Sequence, residues 1–185
     1  MQVEVYAGTE NARLYLNDKL VGEMPTTSER ERKALFTVPY SAGSLKVVGV
    51  NGDREVATYL LQTVGDSARI RLTADHTSLQ ADGEDLSFIT VEAVDAQGRL
   101  QPNATAEVKF AVSGPGTIVA VGNGDGASRE PYQGNQRSLF HGRALVVIRA
   151  SRTPGSIRLT ATAPGMADGE ATIRTEPASS AADLQ

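Results

Sequence analysis

The sequence predicts an all-β chain folded as two β-sandwiches in series. Three observations carry this. Apolar and polar residues alternate with a period of two over most of the 185 residues, turn residues punctuate the alternating runs, and no amphipathic stretch of helical period exceeds about two turns. Apolar residues make up 40% of the chain and charged residues 22%, which suits small sandwiches with thin cores.

The alternation is clearest where Ile70, Leu72 and Ala74 are interleaved with Arg69, Arg71 and Thr73. It recurs at Ile89, Val91 and Ala93, at Val108, Phe110 and Val112, and at Ile157, Leu159 and Ala161. Each run turns one face to a core and one to water. Candidate strands fall at 3–6, 12–16, 19–24, 33–38, 44–50, 55–61, 68–74, 87–94, 106–112, 117–121, 142–149, 156–163 and 169–174. Asn17-Asp18, Asn51-Gly52, Asp82-Gly83, Gln97-Gly98 and Pro154-Gly155 separate them and supply the positive φ angles of tight hairpins. One immunoglobulin-like sandwich needs about seven strands. The strand count therefore predicts two tandem immunoglobulin-like β-sandwiches, residues 1–65 and 66–175, with the boundary near Thr63-Val64-Gly65-Asp66. Residues 176–185 are small and polar without a period, and read as a disordered tail. Met1 leads straight into a strand pattern, which reads as an added start on a piece of a longer parent. Leu14, Leu16, Phe36, Val47, Phe88, Phe110 and Val147 are the expected core, and an apolar patch is expected where a missing neighbour once packed.

The chain contains no cysteine, which excludes disulfides, thiolate metal sites and cysteine nucleophiles. Its net charge of −4 and lack of a basic stripe argue against nucleic acid as a partner. No apolar run reaches membrane-spanning length, so no membrane partner is expected, and the N-terminus lacks the features of a signal peptide.

The first half carries Leu14-Tyr15-Leu16-Asn17-Asp18-Lys19 and Val38-Pro39-Tyr40-Ser41-Ala42-Gly43-Ser44-Leu45. This resembles the immunoglobulin-like domain that follows the catalytic barrel in glycoside hydrolase family 2 enzymes of the β-galactosidase type. Asp18 departs from the glycine usual there, a mild loss at a left-handed turn position. The aromatic-rich strand usual before this point is missing, so the first sandwich is expected to lack an edge strand. The second half carries Asp82-Gly83, Val94-Asp95-Ala96-Gln97-Gly98, Val121-Gly122-Asn123-Gly124-Asp125, Glu130-Pro131-Tyr132 and Phe140-His141-Gly142-Arg143. It is similar to the terminal immunoglobulin-like domain of the same enzymes. The resemblance covers residues 3–174 and implies a non-catalytic accessory region whose partner is the catalytic barrel domain of the same chain. It also implies a bacterial parent, exported to the periplasm or secreted, that is a retaining glycosidase.

Catalysis by this chain itself is not expected. Family 2 chemistry needs two glutamates on a (β/α)₈ barrel of about 250 residues. Glu84, Glu92 and Glu107 fall in turns or on outward strand faces. His76 and His141 are 65 positions apart and read as loop histidines, so no metal or other cofactor is expected. The irregular stretch from Gly122 to Gly134 is the one candidate for binding. Its simplest reading is a structured loop in which Asn123 and Asp125 cap turns. Sugar contact through Tyr132, Asn123, Asp125 and Gln133 is the second reading, although the chain has no tryptophan to stack on a sugar. Calcium held by Asn123, Asp125 and Glu130 is the third. As wholes, a carbohydrate-binding module and an adhesin-type spacer compete with the accessory region. A spacer array should show near-identical repeats, and these two halves differ.

Overall fold

Alternating runs bounded by Gly, Asn and Asp condense into antiparallel ladders, and a computed structural model describes this for residues 1–178. All thirteen expected strands are present, joined by two short ones. The helical content of the described residues is a single 3₁₀ turn, Ser28–Arg30. The chain divides into two compact units, Met1–Thr63 and the residues from Val64 onward.

The first unit contains β1 (Gln2–Tyr6), β2 (Asn11–Leu16), β3 (Lys19–Pro25), β4 (Lys33–Thr37), β5 (Ser44–Asn51) and β6 (Arg54–Gln62). β1 and β4 form a two-stranded sheet facing a four-stranded sheet of order β3-β2-β5-β6. The core between them holds Val5, Ala12, Leu14, Ala34, Phe36 and Val38, with Leu45 and Val47 half-buried beside it. The β2–β3 hairpin turns on Asn17 and Asp18, both at positive φ (49° and 63°). Asn17 is held by more than its turn: its side chain donates to Ser41 Oγ and to the Ala42 carbonyl and accepts from the Ser44 N–H. Asp18 has only a long, exposed ion pair with Lys46, at 4.0 Å, to set against its left-handed backbone. Asp18→Gly is expected to stabilise this unit by about 0.5–1 kcal/mol, read by urea denaturation.

The second unit contains β7 (Arg69–Ala74), β8 (Ser78–Ala81), β9 (Leu86–Val94), β10 (Glu107–Ser113) and β11 (Gly116–Gly122). β12 (Gln136–Ser138), β13 (Arg143–Ala150), β14 (Gly155–Thr162) and β15 (Gly169–Pro177) complete it. A five-stranded sheet, β12-β10-β14-β15-β8, packs on a four-stranded sheet, β11-β13-β9-β7. Ile89, Val91, Val108, Phe110, Ile148, Ile157, Leu159 and Ile173 fill the space between them.

Three sequence expectations are corrected here. β8 and β12 were not foreseen: they are edge strands of four and three residues, too short to show a period. β15 runs to Pro177, because Arg174–Pro177 pairs in parallel with β8, so the expected tail starts too early at 176. The rest of that tail, from 179 on, lies outside the described residues. Phe88 is 44% exposed, not core. Ile89, Val91 and Ala93 take the inward positions of β9, which turns Phe88 to the outer face. Glu92 shares that outer face but is 8% exposed, because cross-strand arginines cover it.

Candidate functional site

The chain leaves the four-stranded sheet at the end of β11, Gly122, and enters the five-stranded sheet at Gln136, and the stretch between is built around a residue that sequence reasoning passed over. Arg137 is fully buried. It stands opposite buried Val108 in the β10–β12 ladder, which directs its side chain inward. Nη1 donates to the Glu130 carbonyl at 2.9 Å and Nη2 to Asn123 Oδ1 at 3.0 Å. The guanidinium lies 5.0 Å from the centre of the Tyr132 ring, within cation–π range. Nε sits 3.6 Å from the Glu130 carboxylate, so charge is compensated there without a hydrogen bond. Glu130 in turn accepts from the Ser138 N–H and hydroxyl and from the Ser128 hydroxyl. Burial pushes its carboxyl up, but the Ser138 and Ser128 donors and Arg137 outweigh that and hold it below the usual carboxylate range.

This accounting sorts the candidate residues. Asn123 donates to the Ser138 carbonyl at 2.7 Å and accepts from the Asp125 N–H and from Arg137. Asp125 caps the Ala127 N–H at 2.9 Å. Both therefore act within the loop, and the oxygens of Asn123 and Glu130 that a cation would need are taken by protein donors. Tyr132 is different. Its carbonyl is fixed by the Val121 N–H at 2.8 Å, while its side chain is 63% exposed. Gln133 beside it is exposed and makes no side-chain hydrogen bond among the described residues. The Tyr132 ring borders a concavity of about 400 Å³, with Ala120, Leu145 and Val147 as an apolar floor and Arg143 at the rim.

Arg143 belongs to a charged row across the outer face of the sheet. Register places Arg143, Glu92 and Arg71 side by side on β13, β9 and β7. Arg71 grips one oxygen of Glu92 through Nε at 2.9 Å and Nη2 at 2.6 Å, and Arg143 Nε reaches the other at 3.1 Å. Burial raises the Glu92 carboxyl, but the hydrogen bonds from Arg71 and then Arg143 prevail and lower it. Asp95, in the turn after β9, is fully buried and accepts from the N–H groups of Gly65, Gln97 and Arg99 and from the Arg99 guanidinium. Burial pushes this carboxyl up, yet these donors pull it far below its ordinary range.

Asp75, where burial is outweighed, and Asp82, both held by backbone N–H donors, are lowered as well, and these five carboxyls together set the pH response of the second unit. A carboxyl lowered on folding contributes stability above its unfolded pKa and loses it as pH falls through the folded one. The unfolded values lie at about 3.9 for Asp and 4.3 for Glu. The melting temperature of the second unit is therefore expected to hold from pH 7 to about 4.5 and to fall steeply below that. A calorimetric series that stayed flat to pH 2.5 would refute the assignment of these carboxylates.

The histidines stay apart from this region. His76 is exposed beside Asp75, with Nδ1 3.1 Å from Oδ2. His141 sits at φ 50°, a left-handed turn position that asparagine also tolerates, and packs edge-on against Phe140. Among the described residues no three His, Asp or Glu side chains are grouped to hold a metal. Glu84 and Glu107 are exposed, as their positions implied.

Comparison with known proteins gives the wider setting. The family model for the glycoside hydrolase family 2 C-terminal domain 5 matches residues 70–172. A domain family of unknown function (DUF4982) matches residues 1–57. A beta-galactosidase of Bacteroides ovatus is 37% identical over 161 residues, which cover 87% of this chain and 19% of that protein. A beta-glucuronidase of Formosa agariphila is 33% identical, covering 94% of this chain and 18% of its own length. A solved glycosyl hydrolase family 2 member from Bacteroides cellulosilyticus superposes with a TM-score of 0.90 at 36% identity, over 95% of this chain and 23% of that one. The chain thus spans about a fifth of the length of the curated relatives it matches.

Proposed function

We propose, on the premise that this chain belongs to the glycoside hydrolase family 2 C-terminal domain 5 family, that it is the non-catalytic accessory region of a β-galactosidase-like hydrolase. Its work is to pack against the catalytic barrel of the same parent chain, to stabilise it and to shape the approach to its sugar site. The carrying observation is the match over about a fifth of family 2 glycosidases, joined to an architecture of sandwiches. The carboxylates with the strongest surroundings support the reading. Glu92, Asp95 and Glu130 are each bound by fixed protein donors that hold them charged, whereas a general acid needs a raised pKa. The parent is read as a retaining enzyme, exported to the periplasm or beyond. The coding sequence adjoining this one tests the proposal. It is expected to encode a (β/α)₈ barrel with two glutamates placed about 5–5.5 Å apart in the fold. An adjoining sequence without a barrel would reject it.

A second reading, carbohydrate binding by the module itself, is favoured by the ring of Tyr132 beside its concavity. An exposed aromatic face next to polar groups suits a sugar ring. Calorimetric titration with galactosides and glucuronides is expected to give weak binding, in the high micromolar to low millimolar range. Tyr132→Ala is expected to abolish it and Tyr132→Phe to preserve it. Binding that survived Tyr132→Ala would move the site elsewhere.

A further inference from the structure

Beside Tyr132 the sheet carries a guanidinium that its ion pair does not exhaust. Arg71 and Arg143 flank Glu92 from its two sides, so this row holds two cations and one carboxylate. Arg71 is fully engaged: Nε and Nη2 go to Glu92, and Nη1 goes to the Gly98 carbonyl at 2.9 Å. Arg143 gives Glu92 a single hydrogen bond, from Nε. Its Nη1 and Nη2 have no acceptor among the described residues, and its side chain is 58% exposed.

Arg143 lines the Tyr132 concavity, and that concavity has a sequence origin. Val121 is buried in the core, so Ala120 and Gly122 on either side of it face outward. They leave almost no side chain on β11, an edge strand. Val147 and Leu145 stand beside them in register and complete an apolar floor. The Tyr132 ring forms a wall, with its Cδ1 and Cε1 3.9 Å from where a Cβ on Gly122 would lie. That ring is fixed by buried Arg137, 5.0 Å from its centre, and by the Val121 N–H on its backbone carbonyl. Among the described residues no Asp, Glu, Lys or His lines the concavity, and Arg143 is its one cation.

We propose that this concavity selects an acidic sugar, a pyranose whose C6 is a carboxylate. The carboxylate sits on Nη1 and Nη2 of Arg143, and the ring sits on Tyr132 above the apolar floor. The proposal rests on the second reading above, carbohydrate binding at Tyr132, and names the class of sugar. A guanidinium meets a carboxylate with two parallel hydrogen bonds, and an aromatic ring suits the apolar face of a pyranose. At about 400 Å³ the concavity is near the small end of the range for ligand pockets, roughly 300–1,000 Å³, which suits one ring. A neutral sugar would leave the Arg143 donors to water, and a bare anion would leave the ring and floor unused.

Methyl β-D-galacturonide and methyl β-D-galactoside differ only at C6. Titrating each into the 185-residue chain, with the amide NMR signals of Val121, Gly122 and Gly124 as reporters, tests the proposal. The uronide is expected to bind about 10-fold more tightly at low salt. The preference is expected to shrink at about 0.5 M salt, because Arg143 is exposed enough to be screened. Arg143→Gln leaves Glu92 paired with Arg71 and is expected to bring the two sugars within about 2-fold of each other, with the signals of the core strands in place. Arg143→Lys, a point charge without the fork, is expected to fall between. Equal affinity for the two sugars, both lost in Tyr132→Ala, would overturn the choice of sugar and leave carbohydrate binding standing. A preference that survived Arg143→Gln would overturn it too, since the charge would lie elsewhere. So would acetate, if it moved the same amides as far as the uronide does. Binding of neither sugar, or binding indifferent to Tyr132→Ala, would sink the carbohydrate reading and this proposal with it.

Discussion

Replacing Arg137 by alanine is expected to destabilise the second unit by about 3–5 kcal/mol, the range for removing one partner of a buried ion pair. The side chain is wholly enclosed, so its loss leaves a void of arginine size. It also strands the Glu130 carbonyl, leaves Asn123 Oδ1 with the Asp125 N–H alone, and removes the cation compensating the Glu130 carboxylate. Arg137→Lys is expected to recover only a small part. One ammonium cannot span both acceptors as the guanidinium fork does while also underlying the Tyr132 ring. Thermal denaturation would show the order wild type, then Arg137→Lys, then Arg137→Ala. Near-equal stability of all three would mean that the loop is held by something else.

Gly142→Ala is expected to be at least as damaging, with a loss of about 4 kcal/mol or failure to fold. Phe140 and Arg143 exchange both backbone hydrogen bonds around His141 and Gly142, whose φ angles are 50° and 75°. That is the geometry of a two-residue hairpin with both central residues left-handed. A Cβ at Gly142 would stand 2.3 Å from the Gln101 carbonyl oxygen, a backbone atom held in place because the Gln101 N–H bonds the Ala93 carbonyl. Gly165 is the matched control, with φ 74° and nothing within 4 Å of the added carbon. Gly165→Ala is expected to cost about 1–2 kcal/mol from the left-handed conformation alone. The gap between the two variants isolates the backbone collision. Equal losses would show that the conformation, not the contact, selects glycine at 142.

The all-β architecture was legible because its signal is repeated and local. Ile89, Val91 and Ala93, or Ile157, Leu159 and Ala161, state an inward face in three residues each, and the structure buries all six. What failed to show is what depends on distant partners. Nothing local marks Gln136-Arg137-Ser138 as a strand, since its central residue is an arginine whose burial needs Glu130, Asn123 and Tyr132 around it. Glu92 reads as a solvent-facing residue on its own strand, and only the register of β7 and β13 reveals the two arginines that enclose it. Phe88 reads as core by residue type, while its parity on β9 puts it outside. In the loop, Asn123 and Asp125 have the right chemistry for a sugar, but their hydrogen bonds run inward, and Tyr132 keeps its exposure. Tyr59 and Leu61 show the opposite case. Register with Val47 and Leu45 sets them on the core face, yet both stay exposed.

The central claim is that these sandwiches assist glycoside hydrolysis without performing it. Incubating the purified 185-residue chain with chromogenic β-galactoside and β-glucuronide substrates, alongside the full parent enzyme, addresses it directly. Turnover by the parent and none above buffer by the short chain is the expected result. Hydrolysis by the short chain that scaled with its concentration and vanished on unfolding would contradict the account.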